Sequence, residues 1–190
     1  IKSLGQEQGT FVRVAGTTRQ ADQPTIRELT IEGSNRSFDQ VQCLGLSVTE
    51  KDIEALCESL TKTAKNNAED PAKVKTVTEK QLLQWGVLAE QDGQLVPTNA
   101  YAILSGNEAV RSVVQCGVFK GTTKAVFVDR REFSGTPQEL IEESYQYVLR
   151  NIHMGARFKG VYRQDVYEIP PDAVRELIVN AIVHRSYIDH

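Results

Sequence analysis

The chain has 190 residues, 40% of them apolar and 25% charged, with a formal net charge of −3. That length carries one large domain or two small ones, and that apolar share supports a core without a disulfide or metal staple. The charge excludes a polycation, so any contact with nucleic acid has to come from a local patch.

The cysteines, Cys43, Cys57 and Cys116, lie far apart with no C-x-x-C spacing. This speaks against a disulfide framework or a zinc site, and for reduced, buried thiols in a cytoplasmic protein. No apolar run reaches the roughly 18–20 residues that span a bilayer. No signal peptide is visible after Ile1, and no membrane partner is expected.

Gly9–Gly16 alternates apolar and polar residues and predicts a strand that turns at Gly16, with Thr17–Asp22 as a polar connection. Pro24 falls in the first turn of a short helix that runs through Leu29 and Ile31 and stops at Gly33. A longer helix is predicted over Ser47–Lys65. Thr49 caps it with Asp52 three residues on, and Ile53, Leu56, Cys57 and Leu60 form its apolar stripe. Lys65–Lys75, with Pro71, reads as an exposed loop and the best internal boundary. Thr78–Trp85 is a short helix closed by Gly86. Val87-Leu88 and Leu95-Val96 flank Asp92-Gly93, a hairpin signal, and a helix follows over Thr98–Leu104.

Ser112–Phe119 predicts a buried strand, and Ala125–Asp129 a second strand after the turn at Gly121. Pro137–Asn151 is an amphipathic helix with Leu140, Ile141, Tyr145, Val148 and Leu149 on one face. Arg157–Ile169 predicts a strand or hairpin arm, and Pro170-Pro171-Asp172 opens the last helix. Together the elements predict a mixed α/β (α+β) fold of two small packed lobes.

In the last helix Val174, Leu177, Ile178, Ala181 and Ile182 define a stripe expected to be buried. Glu176, Asn180 and His184 recur every four residues and share a different face. A carboxylate and a carboxamide one turn apart can hold a hydrated Mg²⁺ and position a water. The same spacing also suits a solvated polar face.

Arg111, Lys120, Lys124, Arg130 and Arg131 bracket the two predicted strands, and Arg157, Lys159 and Arg163 extend the series. They are candidate phosphate contacts for nucleic acid, or else the charged edge that keeps a sheet from pairing further. Thr78–Gly106 runs helix, hairpin, helix in a winged-helix-like order. Glu79, Glu90 and Asp92 oppose phosphate contact there, and no helix face gathers several Arg, Lys, Asn or Gln. Gly16, Gly121, Gly155 and Gly160 stand alone, outside any phosphate-binding motif, and His153 reads as a surface residue.

Five segments, in order, resemble one family. Gly9 to Ala21 (GTFVRVAGTTRQA) resembles the G-x-[YF]-[IV]-R-V-G-S-[ST]-[TN]-R-x-A ending of a Schlafen-type AlbA domain, and Ser37-Phe38-Asp39 resembles the step after it. Leu95 to Gly106, with Thr98-Asn99-Ala100 inside, resembles an L-T-N-A-G-x-L-L-F-G stretch, and Cys116 to Gly121 a C-x-x-F-K-G strand. Glu176 to Tyr187 resembles the E-x-x-x-N-A-x-x-H-R-[DS]-Y segment of a divergent GHKL-type ATPase domain. Proteins carrying these segments are RecG-like transcriptional regulators.

The resemblance implies a piece of a larger regulator. Residues 1–45 would be the tail of the AlbA-like domain and 46–110 a helical, winged-helix-like connector. Residues 111–190 would be an α/β lobe ending in the N-box helix of a truncated ATPase-like domain. It implies that Glu176 orients or activates water as the catalytic residue, and that Asn180 meets the metal, Mg²⁺, of bound ATP. ATP and Mg²⁺ would belong to the full-length parent. None is expected for this chain alone, which lacks the family's glycine-rich segments and is not expected to be an enzyme by itself. Expected partners are DNA, the parent's other domains or a second copy. Two alternatives stand beside this reading: an autonomous DNA-binding module using the basic strip, and an oligomerisation module built on Val113–Phe119 or Leu140–Leu149.

Overall fold

Strands and helices alternate along the computed structural model, which describes residues 5–33, 37–122, 126–159 and 162–187, and the fold is mixed α/β. The chain divides into two compact units. One comprises Ile1–Glu58, Thr76–Tyr101 and Ser186–His190; the other comprises Ser59–Lys75 and Ala102–Arg185. Among the described residues each strand pairs antiparallel with its neighbour in sequence, giving two-stranded hairpins. No helix among them is long and apolar enough to cross a membrane.

The first unit opens with α1 (Gly5–Gly9), β1 (Phe11–Val14), β2 (Thr17–Gln20) and α2 (Gln23–Gly33). Val14 pairs with Thr17 around a two-residue turn in which Ala15 and Gly16 have φ of 48° and 84°. Two successive positive φ values match the right-handed twist of a hairpin. Thr17–Gln20 is therefore a strand, not the polar connection that its composition suggests. Thr-Thr-Arg-Gln has no apolar residue to mark it, and all four are exposed.

α3 (Glu50–Asn67) is capped as its sequence predicts. Asp52 Oδ2 accepts from the Thr49 N–H at 2.8 Å and hydroxyl at 2.7 Å. The hydroxyl bond and then the backbone bond hold the Asp52 carboxyl below the usual range. Ile53, Leu56 and Cys57 are buried on one face. The helix continues past Lys65 to Asn67, and a 3₁₀ turn at Pro71–Lys73 follows.

α4 (Glu79–Gln84), β3 (Leu88–Gln91), β4 (Gln94–Pro97) and α5 (Asn99–Ser105) form the winged-helix-like run. Asp92 and Gly93, both with positive φ, make the predicted turn. The Thr98-Asn99 pair ties this run to the segment before α3. The buried Thr98 hydroxyl lies 2.8 Å from the Gly86 carbonyl and 2.9 Å from that of Val87. Asn99 Nδ2 donates to the Phe38 carbonyl at 2.9 Å, and its N–H to that of Val41 at 2.9 Å. These two residues satisfy buried backbone groups that would otherwise lose their water partners.

The second unit holds β5 (Val113–Phe119), β6 (Phe127–Ser134), α6 (Pro137–Asn151), β7 (Met154–Lys159), β8 (Tyr162–Tyr167) and α7 (Pro171–Val183). α6 packs against β5, β6 and α7. β6 runs five residues past its expected end at Asp129, because Arg130, Arg131 and Glu132 pair with Gly117, Cys116 and Gln115. β5 is half-buried where a fully buried strand is expected, since Gln115 and Gly117 face solvent.

α6 starts at a capping box: the Thr136 N–H and hydroxyl both donate to Glu139 Oε2 at 2.9 Å. Leu140, Ser144 and Tyr147 are its most buried residues. α7 departs from its expected stripe. Val174 and Ile182 are buried and Ile178 is half-buried, but Ala181 is exposed and Leu177 is 68% exposed. α6 covers one narrow line of α7, and Leu177 lies outside it.

Candidate functional site

α7 begins at Pro171, where proline's missing N–H and fixed φ suit the first helical turn. Glu176 and Asn180 follow one turn apart on its exposed side, and Asn180 Nδ2 donates to Glu176 Oε1 at 3.1 Å. This contact leaves the Asn180 amide oxygen and the second Glu176 oxygen free for other partners. His184 is exposed at the C-cap, its backbone N–H bonded to the Asn180 carbonyl at 3.0 Å. Arg185 points back into the unit, where Nη1 donates to the Val113 carbonyl at 2.6 Å and ties the end of α7 to the start of β5. Arg175 lies 3.6 Å from Glu142 and over the Tyr145 ring of α6, fixing the helix pair from the other side.

Glu176 and Asn180 thus stand on one rigid, outward face. Mg²⁺ takes one or two protein oxygens and fills its octahedron with water and phosphate oxygens. A carboxylate and an amide oxygen fit that donor set. Among the described residues no group of three or more His, Cys, Asp or Glu is placed to cage an ion.

Among the described residues, the basic side chains do not share one face. Arg111 Nη2 lies 3.2 Å from Glu132 Oε1, and Gln115 donates to the other Glu132 oxygen at 2.9 Å. Arg131 Nε lies 3.8 Å from Asp129. Arg130 sits opposite Gly117 and Arg131 opposite Cys116, so the two arginines point to opposite faces of the hairpin. Arg130 and Lys120 are exposed and, among the described residues, make no ion pair. Lys124 lies outside the described residues, as do the side chains of Arg157, Lys159 and Arg163.

Among the described residues, each unit carries a hollow. In the second, a cavity of ≈ 510 Å³ is lined by Asp129, Arg131, Phe133, Tyr147, Arg150 and Asn151. The Tyr147 hydroxyl is buried there beside the Asp129 carboxylate, and burial, then that carboxylate, push its pKa up. In the first, a cavity of ≈ 560 Å³ has Glu50, Glu54, Glu58 and Glu79 around Ile53, Cys57 and Val77. Burial and then Glu79 and Glu54 push the Cys57 thiol up, and burial does the same to Cys116. Both stay protonated thiols rather than nucleophilic thiolates. The four glutamates make the first hollow repel phosphate.

Sequence patterns miss two features. Tyr147 lies outside the predicted apolar stripe of α6, yet it is among the most buried residues of that helix. Phe119 and Phe127 lie with ring centroids 4.4 Å apart and planes tilted by 42°, but a β-bulge joins them and no spacing rule announces it.

No family model matches the chain, and no curated protein matches it. Among solved structures it is similar to the crystal structure of the DIP2311 protein from Corynebacterium diphtheriae, with a TM-score of 0.54 and 22% identity over 93% of this chain. The chain spans 34% of the length of that protein. At that identity the likeness speaks for the fold alone.

Proposed function

We propose that this chain is the connector and first ATPase-like lobe of a cytoplasmic transcriptional regulator of the RecG-like, AlbA-containing kind. In this reading it links a nucleic-acid-binding domain to a nucleotide-binding one. The observation that carries it is the Glu176–Asn180 pair, held 3.1 Å apart on the exposed face of α7 inside the resembling segment. The order of the five resembling segments supports it further. Bound ATP would supply its phosphates and Mg²⁺. Asn180 would hold the cation through its amide oxygen, Glu176 would orient a water, and Arg185 would keep the helix end in place against β5.

A version of the protein that continues past His190 is expected to bind Mg–ATP with micromolar affinity, measured by calorimetry. Asn180→Ala is expected to weaken that binding about tenfold, the scale of one lost charge-assisted contact. Glu176→Gln is expected to leave binding intact and stop turnover. A folded longer version with no affinity for Mg–ATP overturns the reading.

A further inference from the structure

The outer face of the β5–β6 hairpin carries an aromatic pair that strict alternation would not place there. On β6, Phe127 has the parity of Asp129, Arg131 and Phe133, the residues that share a face with Val114, Cys116 and Val118. Between Val118 and Phe119 the register shifts: Val118 pairs with Asp129 and Phe119 with Phe127, so Val128 is the extra residue. This bulge turns Phe127 to the opposite face, beside Phe119 and Gly117. A Cβ on Gly117 would lie 3.2 Å from Phe127 Cε1, so the glycine lets the ring lie close to the backbone. Phe127 remains 54% exposed and Val128 64% exposed. The face thus offers one exposed ring, Phe127, with Phe119 half-buried beside it.

The charges on that face favour an anion. Glu132 is engaged by Arg111 and Gln115. Arg130, across from Gly117, makes no ion pair among the described residues. We infer that this face is a stacking site for single-stranded nucleic acid, with a base on the exposed Phe127 ring that Phe119 backs and a neighbouring phosphate on Arg130. Bases in a duplex hide their faces in the stack, whereas a single strand offers them to aromatic side chains. A second copy of the chain fits less well. Two strands of about seven residues offer roughly 23 Å by 10 Å, or about 230 Å², against about 800 Å² per partner in a stable interface. The platform uses no residue of α7, so it stands or falls apart from the nucleotide reading.

The test is fluorescence anisotropy of the 190-residue chain with a labelled oligothymidine and with a duplex of equal length, at low and physiological salt. Micromolar binding to the single strand, tighter than to the duplex, is expected. Phe127→Ala is expected to weaken it about tenfold, and Phe127→Tyr to restore most of it, since stacking needs only a ring. Arg130→Ser is expected to lower the slope of log affinity against log salt by about 0.7, the share of one phosphate on a single strand. Circular dichroism establishes that each variant is folded. No single-strand binding at low salt overturns the proposal. So does equal affinity of Phe127→Ala and the unsubstituted chain. Light scattering that shows a concentration-dependent dimer abolished by Phe127→Ala also overturns it, and makes the face a self-association surface.

Discussion

α6 and α7 pack against each other, yet they use their apolar residues differently. α6 alternates its character sharply: its predicted stripe is buried at Leu140 and half-buried at Ile141, Tyr145, Val148 and Leu149, while its deepest line, Leu140, Ser144 and Tyr147, is turned toward one edge of that stripe. α7 is apolar over more of its circumference. The neighbour it meets covers only the line through Val174, Ile178 and Ile182, and Leu177, Ala181 and Val183 are left exposed. A periodic pattern locates a buried face when polar residues bound it on both sides. When they do not, the packing partner decides which apolar residues are core.

The largest expected difference between the helices lies in their leucines. Leu140 is 1% exposed. Leu140→Ala is expected to destabilise the chain by about 2–5 kcal/mol, the range for deleting a core leucine, seen as a lower urea midpoint. A loss under about 1 kcal/mol would mean that α6 is not the anchor of its unit.

Next comes the α6 cap. Thr136→Ala is expected to cost about 1 kcal/mol, within the usual 0.5–2 for a lost N-cap. The same cap carries a pH dependence. The Thr136 backbone N–H, and then its hydroxyl, hold the Glu139 carboxyl below its usual range. The contribution of Glu139 is therefore fully present above its unfolded pKa of about 4.3, and it is lost as pH falls through the lower folded value. Urea midpoints between pH 3 and pH 6 should show less acid sensitivity in Glu139→Gln than in the unsubstituted chain. Parallel curves would sink this assignment.

Ser144→Ala has the opposite sign. Its hydroxyl is buried with, among the described residues, only the Cys116 thiol, a weak hydrogen-bonding group, beside it, and a poorly satisfied buried polar atom costs about 1–3 kcal/mol. Removing it is expected to stabilise the chain by about 1 kcal/mol; a clear loss of stability would show that the hydroxyl has a stronger partner. The smallest effect is on α7: Leu177→Ala is expected to stay within about 0.5 kcal/mol, as for exposed positions. A loss above about 2 kcal/mol would mean that a partner covers the Leu177 face in solution.

Elements marked by local chemistry were legible in advance. The Thr49–Asp52 box, the Asp92-Gly93 turn and the Pro171 start each act within a few residues. β2 was not legible, because a strand of Thr, Arg and Gln has no apolar face, and only the positive φ of Ala15 and Gly16 brings it onto β1. In the candidate site, the shared face of Glu176, Asn180 and His184 follows from helical spacing. The inward turn of Arg185 to the Val113 carbonyl does not, since its partner is 72 residues away. The basic series divided for a related reason: neighbouring strand residues such as Arg130 and Arg131 alternate between faces, and pairing with Asp129 or Glu132 depends on register.

By itself, then, the sequence determined the mixed α/β class, the helix starts, the tight turns and the row of polar residues on α7, because each depends on backbone preferences and on periods of two or 3.6 residues. Only the tertiary structure decided that Leu177 is exposed, that Arg185 is an anchor, and that a bulge at Val128 brings Phe127 beside Phe119. Those outcomes depend on which surfaces meet, and contacts between residues far apart in the chain leave no local periodicity to read.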